Sequence, residues 1–172
     1  GHDALTGLPN RKLMREYLAR YIAQSKRNKQ IGAILFIDLN DFKQINDTYG
    51  HQVGDFVLCH VVEQLKKTLR ADDVCARIGG DEFVIILPLL TSISQEAEER
   101  AVTAAKRFMA FATKDFICQN QTFTPSLSIG VALFPVHSDD EDEILHYADQ
   151  AMYQAKSKPG NNIITYIPCA TP

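Results

Sequence analysis

Asp81 and Glu82 stand side by side in Arg77-Ile78-Gly79-Gly80-Asp81-Glu82-Phe83, between the apolar runs Val74 to Ile78 and Phe83 to Leu87. Adjacent carboxylates on a turn can bind a metal ion or handle a proton. The Gly-Gly pair predicts a β-hairpin tip, because glycine supplies the φ > 0 geometry of a tight turn and lets another molecule approach the backbone. A third carboxylate, Asp38, closes the apolar run Ile31 to Ile37. A run without polar alternation predicts a central strand buried on both faces, so Asp38 emerges at the C-terminal end of that strand, where ligand sites of α/β sheets lie. If the hairpin pairs beside this strand, Asp38, Asp81 and Glu82 converge at one end of a sheet. Carboxylates so placed repel one another and require a cation; hard Mg²⁺ accepts a few such oxygens together with substrate phosphates. Downstream, Lys43 has the charge to meet a phosphate, and Asn46 and Asp55 have the groups to read a base edge. Each also has a plainer use: Lys43 as a solvated charge, Asn46 as a turn former, Asp55 as a helix cap and the Gly-Asp tip as a polar turn.

The elements that must position these residues follow from periodicity. Asn10 caps a helix over 11–28, with Leu13, Met14, Tyr17, Leu18, Tyr21 and Ile22 on one face. Residues 39–55 are polar and turn-rich, and a second amphipathic helix runs from about Gln52 to Leu69. A capping box at Ser92-x-x-Gln95 opens a helix over 93–114, and a second box at Ser138-x-x-Glu141 opens one that ends at Lys156. Between them, Phe116 to Gln119 and Thr122 to Phe134 predict a strand pair turning at Asn120-Gln121. Pro159-Gly160 breaks the last helix, and Ile163 to Ile167 predicts an edge strand. The order αβαββαββαβ implies one mixed sheet covered by helices, an α+β sandwich.

Composition narrows the class. A formal charge of −3 argues against a nucleic-acid binder working through a broad basic surface. No apolar run approaches the ~20 residues of a membrane span, and no signal-peptide pattern opens the chain. Cys59, Cys75, Cys118 and Cys169 are widely spaced without a C-x-x-C pair, and three of them sit within apolar patterns, which predicts core packing in a reducing cytosol and neither a disulfide framework nor a zinc site. The histidines lack ligand spacing. The abrupt start at Gly1-His2-Asp3 and the tail Ile167 to Pro172 predict a domain over 1–167 within a larger protein, with 168–172 opening a linker.

Taken jointly, these segments resemble the GGDEF family, the diguanylate cyclases, over nearly the whole chain. Asp3-Ala4-Leu5-Thr6-Gly7-Leu8-Pro9-Asn10-Arg11 is similar to the family's opening motif. Phe36 to Asp47 and Gly50-His51-Gln52-Val53-Gly54-Asp55 resemble its substrate segment. The hairpin is the signature itself, whose third position varies between Asp and Glu, and Ser128-Ile129-Gly130-Val131-Ala132 matches a later strand. The resemblance implies a palm-like nucleotidyl-cyclase fold. It also implies the condensation of two GTP into cyclic di-GMP and pyrophosphate, by Mg²⁺- or Mn²⁺-dependent attack of a 3′-hydroxyl on an α-phosphate across a homodimer. On this resemblance Asp38, Asp81 and the carbonyl of Leu39 hold the metal, and Asn46 and Asp55 bind guanine. Lys43, Lys156 and the amides of Asp41 and Phe42 hold phosphates, and Asp81 or Glu82 assists deprotonation. Arg70-Ala71-Asp72-Asp73 matches the family's R-x-x-D inhibitory product site, with Arg70 and Asp73 as its named residues; its plainer use is an Arg at a helix C-terminus. The family pattern A-K-x-x-G-[RK]-N is altered here: Ala155-Lys156 is followed by the longer Ser157-Lys158-Pro159-Gly160-Asn161-Asn162, without the second basic residue. The implied setting is a cytosol-facing domain linked covalently to a sensor, and in some arrangements to a phosphodiesterase domain. The competing expectation is a catalytically silent module that binds GTP or cyclic di-GMP.

Overall fold

The computed structural model describes residues 1–169. Its centre is β1 (Ile31–Leu39), buried along its whole length and flanked antiparallel by β3 (Glu82–Thr91) and β6 (Leu127–Phe134). β2 (Val74–Arg77) pairs with the far side of β3, and β7 (Asn162–Thr165) runs parallel to β6 at the other edge. The five strands therefore lie in the order β2-β3-β1-β6-β7. Helices α1 (Arg11–Asn28) and α5 (Glu141–Lys156) cover one face, and α3 (His51–Thr68) and α4 (Ser94–Ala112) cover the other. This is the expected α+β sandwich with a mixed sheet, and the hairpin does pair beside the 31–38 strand.

Alternation along β1 divides the two cores. Ala33, Leu35, Ile37 and Leu39 pack toward α3 and α4, whereas Ile34 and Phe36 pack toward α1 and α5. Asp38 shares parity with Ile34 and Phe36, so it emerges on the α1/α5 face. Glu82 of β3 and Ser128 of β6 are its direct cross-strand partners and lie on that same face.

Several expectations are corrected. The turn-rich stretch 39–55 contains a helix, α2 (Phe42–Tyr49), whose Phe42 and Ile45 pack against the α3/α4 core. Its two anchoring side chains are too few to stand out from the surrounding Asn, Asp and Gly residues. The predicted strand over 122–134 is two strands, because Pro125 has no amide to donate to a ladder. β5 (Gln121–Phe123) pairs with β4 (Phe116–Cys118) in a separate ribbon, and β6 starts only at Leu127. The ribbon turns one residue earlier than predicted, at Gln119 and Asn120, which both take positive φ (49° and 64°). Neither capping box forms. Helix α4 has no side-chain cap, and Thr91 Oγ1 instead accepts from the Ile93 amide and donates to Glu96. Helix α5 is capped by Asp140, which accepts from the Glu143 amide, while Ser138, two residues before it, accepts from the Asp140 amide. Asn10 caps α1 as expected. The predicted linker 168–172 lies partly outside the described residues, which end at Cys169.

Candidate active site

The acidic end of β1 is built by register. Asp38 and Glu82 oppose each other across the β1–β3 ladder, and the Leu39 amide donates to the Asp81 carbonyl at 3.0 Å, which ties the hairpin tip to the end of β1. Asp38 is buried, with 6% exposure. Its Oδ2 receives Lys156 Nζ at 3.1 Å from the C-terminal turn of α5, and its Oδ1 has no hydrogen-bond partner. Burial, then the neighbouring Asp81 charge, pushes the Asp38 carboxyl up to about 6, although Lys156 pulls in the opposite direction. Glu82 is also raised above its ordinary value, first by burial and then by Asp149 on α5 and by Asp81. The three carboxylates thus share one end of the sheet. Among the described residues, however, no group of three or more His, Cys, Asp or Glu side chains is arranged to hold a metal unaided. The donor set suits a hard cation that takes its remaining oxygens from phosphates or water.

The signature loop, residues 78–81, departs from the expected tight turn. Neither Gly79 nor Gly80 takes a positive φ. Gly79 instead makes room: a Cβ there would lie 2.8 Å from Glu82 Oε1. The loop is held by Arg77, a residue the sequence reading passed over. Its guanidinium donates to the carbonyls of Gly79 and Gly80, at 3.2 and 2.8 Å, and to both oxygens of Asp3 at 3.2 Å. Burial opposes ionisation of Asp3, but hydrogen bonds from Thr6 and Arg77 outweigh it and hold the carboxyl below its usual range. The opening motif and the signature loop are therefore joined through one side chain.

The remaining predicted residues lie on α2 and α3, which pack together after β1. Asp41 has a left-handed backbone (φ 60°) and forms no side-chain cap, so the first amides of α2 are left without a capping acceptor. Lys43 is exposed on this first turn. Asn46 lies within α2, and its Oδ1 is buried without a partner. It occupies space that only a glycine at 54 leaves open, since a Cβ there would come within 1.7 Å of Asn46 Oδ1. Asp55 is exposed inside α3, with Gly50 as that helix's N-cap, so it serves as no cap.

A second site forms at the far end of β2. The Arg70 amide donates to Asp73 Oδ2 at 2.9 Å and the Asp73 amide donates back to the Arg70 carbonyl at 3.1 Å, closing the R-x-x-D turn. Burial raises the Asp73 carboxyl above its ordinary value despite that hydrogen bond. The turn lines a groove of about 680 Å³ whose opposite wall carries Arg100, Thr103 and Arg107 of α4. Its floor includes Leu87 to Leu90, where the register between Ile31 and Ala33 slips and Leu89 takes a positive φ of 49°. Arg100 and Arg107 were not found from sequence. Their spacing marks one face of α4, but nothing local shows that this face meets the 70–73 turn.

Fold and geometry define an α+β sandwich with an acidic cluster at the end of its central strand and a separate groove lined by Arg70, Arg100 and Arg107 together with Asp72, Asp73 and Glu99. The chain belongs to the GGDEF family: residues 1–162 match the family described as "Diguanylate cyclase, GGDEF domain". It is 39% identical over 162 residues to the bifunctional diguanylate cyclase/cyclic di-GMP phosphodiesterase MucR of Pseudomonas aeruginosa, covering 93% of this chain and 22% of that protein. It is also 39% identical over 156 residues to the diguanylate cyclase TpbB of Pseudomonas aeruginosa, covering 90% of this chain and 35% of that protein. The chain thus spans about a fifth to a third of these relatives' length. The solved GGDEF domain of TpbB superposes with a TM-score of 0.89 at 36% identity, covering 97% of this chain and 95% of that one. The GGDEF domain of DgcB from Caulobacter crescentus, solved in complex with c-di-GMP, superposes with a TM-score of 0.85 at 27% identity, covering 96% and 95%.

Proposed function

We propose that this domain converts GTP to cyclic di-GMP and pyrophosphate, working as a homodimer in which each copy holds one GTP. The observation that carries this reading is Asp38, a buried carboxylate with one oxygen unpaired and the other on Lys156, set beside Glu82 and the Asp81 tip. A buried anion left unpaired is costly to the fold, and a hard divalent ion satisfies it. Asp38 and Asp81, with the Leu39 carbonyl, are the ligands proposed for Mg²⁺ or Mn²⁺. When bound, such an ion supplies positive charge against the oxygens of the reacting phosphate.

The chain's own groups do the rest. The uncapped amides of Asp41 and Phe42, together with Lys43 and Lys156, hold the phosphates. Asn46 and Asp55 bind the guanine. The Asp55 carboxylate accepts from guanine N1–H and its exocyclic amine but would face an acceptor at adenine N1, which disfavours ATP. Glu82 or Asp81 takes the proton of the attacking 3′-hydroxyl, and burial and the nearby carboxylates make Glu82 more basic than an ordinary glutamate. One site holds one reactant, so bond formation needs the site of a second copy facing it. The groove between Arg70, Asp73, Arg100 and Arg107 binds the cyclic dinucleotide product and lowers turnover, its guanidinium groups meeting phosphates and guanine edges. In the full protein the domain over 1–167 faces the cytosol under the control of a linked sensor.

The test is incubation of the dimeric protein with GTP and Mg²⁺, followed by nucleotide chromatography. Cyclic di-GMP is expected, and chelation of the metal abolishes it. A folded dimer that binds GTP yet makes no product would instead be a regulatory module that binds GTP or cyclic di-GMP.

A further inference from the structure

The turn that follows Lys156 is organised by side chains that the reaction itself does not use. Asn40, two residues beyond Asp38, donates from Nδ2 to Ser126 Oγ at 2.8 Å and to the Gly160 carbonyl at 3.3 Å. Its Oδ1 accepts from the hydroxyl of fully buried Ser128 at 2.8 Å, and its backbone amide donates to the Ser126 carbonyl at 2.8 Å. One half-buried amide side chain thus joins the ends of β1 and β6 to the loop leaving α5. The loop is closed from its other side by Asn162, whose Nδ2 donates to the carbonyls of Lys158 and Gly160 at 3.0 and 3.3 Å. Asn161 stands directly after Gly160, where the family pattern has its second basic residue, and its Oδ1 accepts from the Leu127 amide at 2.7 Å. That position is therefore committed to backbone support and leaves Lys156 as the lysine paired with the acidic end.

We infer that Asn40 is a positioning residue that seats Lys156. Lys156 is the last residue of α5, and its side chain is 37% exposed. A helix terminus frays unless the chain beyond it is tied down. The tie here runs from Asn40 to the Gly160 carbonyl, four residues past Lys156, and from Asn161 to the start of β6. Through it the longer turn delivers the lysine to the same strand end that carries Asp38. This rests on the proposal that Lys156 contacts GTP phosphates.

A double-mutant cycle on the dimeric protein separates this role from plain structural support. The ligand is 3′-deoxy-GTP, which lacks the attacking hydroxyl, titrated calorimetrically with Mg²⁺ while unfolding is followed in parallel. Asn40→Ala is expected to weaken binding about tenfold, as loss of a group that orients a contacting side chain does. Lys156→Met is expected to weaken it at least as much, and the double variant to bind no worse than Lys156→Met alone. Additive losses, or unchanged binding by folded Asn40→Ala, would overturn the inference. If Lys156→Met itself binds normally, the phosphate role of Lys156 fails first, which is a distinct result. Should Asn40→Ala not fold, Ser126→Ala removes one acceptor of the same clamp. It is expected to give a smaller loss, again absent in the Lys156→Met background; a loss that persists in that background, or no loss at all, overturns the inference.

Discussion

The buried carboxylate of Asp38 should destabilise the metal-free fold in a pH-dependent way, and its size follows from the structure. Its folded pKa of about 6 exceeds the ordinary value of 3.8, so the folded state binds this proton more tightly than the unfolded chain does. Below the unfolded value both states are protonated and there is no cost. As pH rises through the folded value, stability is lost, and at about 1.36 kcal/mol per pK unit the full loss is about 3 kcal/mol. Roughly half of it, between about 1 and 2 kcal/mol, falls between about pH 5 and about pH 8. Asp38→Asn keeps the shape, lets the amide oxygen face Lys156 and removes the titration. In chelator, urea unfolding of the wild-type protein should therefore lose between about 1 and 2 kcal/mol relative to Asp38→Asn over that pH interval. Comparing the two proteins over the interval cancels any constant cost of the substitution and the titration of distant groups. Added Mg²⁺ should close the difference for the wild-type protein alone. Parallel stability curves in chelator would refute the reasoning, because they would mean that the fold does not oppose ionisation of the buried Asp38 carboxyl.

Other expectations can be checked in the same protein. Gly54→Ala places a methyl group where Asn46 Oδ1 now lies; helix propensity returns about 1 kcal/mol, so the fold should survive while KM for GTP rises about tenfold or more with the loss of a base contact. Gly130→Ala meets backbone atoms instead, Ala148 O at 2.1 Å and Met152 N at 2.2 Å; it should lift α5 from β6 and cost upward of about 3 kcal/mol, seen as a fall in thermal midpoint or in soluble yield. Arg70→Ala and Arg107→Ala should each relax inhibition by cyclic di-GMP about tenfold or more, leaving the initial rate near wild type, as measured by progress curves with added product. Inhibition of both variants unchanged from wild type would remove the groove from the regulatory account.

Much of the architecture is written in local pattern. The unbroken apolar run 31–37 announces a strand buried on both faces, and Asp38 at its end marks where polar chemistry can begin, because charge is tolerated only where the core stops. The hairpin signature, the helix over 11–28 and the R-x-x-D turn are legible for the same reason: their constraints act over a few residues. Helix α2 was not legible, since Phe42 and Ile45 earn their helical register only by packing on α3 and the sheet. The ribbon turn at Gln119-Asn120 was misplaced by one residue because two adjacent positive φ values leave little trace in side-chain type.

For the site, residue types and order named the carboxylates and the polar residues expected beside them, whereas tertiary structure decided which atoms meet. Parity in β1 and β3 put Asp38 and Glu82 on the α5 side, and only the packing of α5 brought Lys156 within 3.1 Å of Asp38. Arg77 reaches Asp3, Asn40 reaches Gly160, and Arg107 faces the 70–73 turn across separations of 74, 120 and more than thirty residues, respectively. Contacts at that distance depend on how sheet and helices pack as a whole, a property that no short stretch of sequence carries by itself.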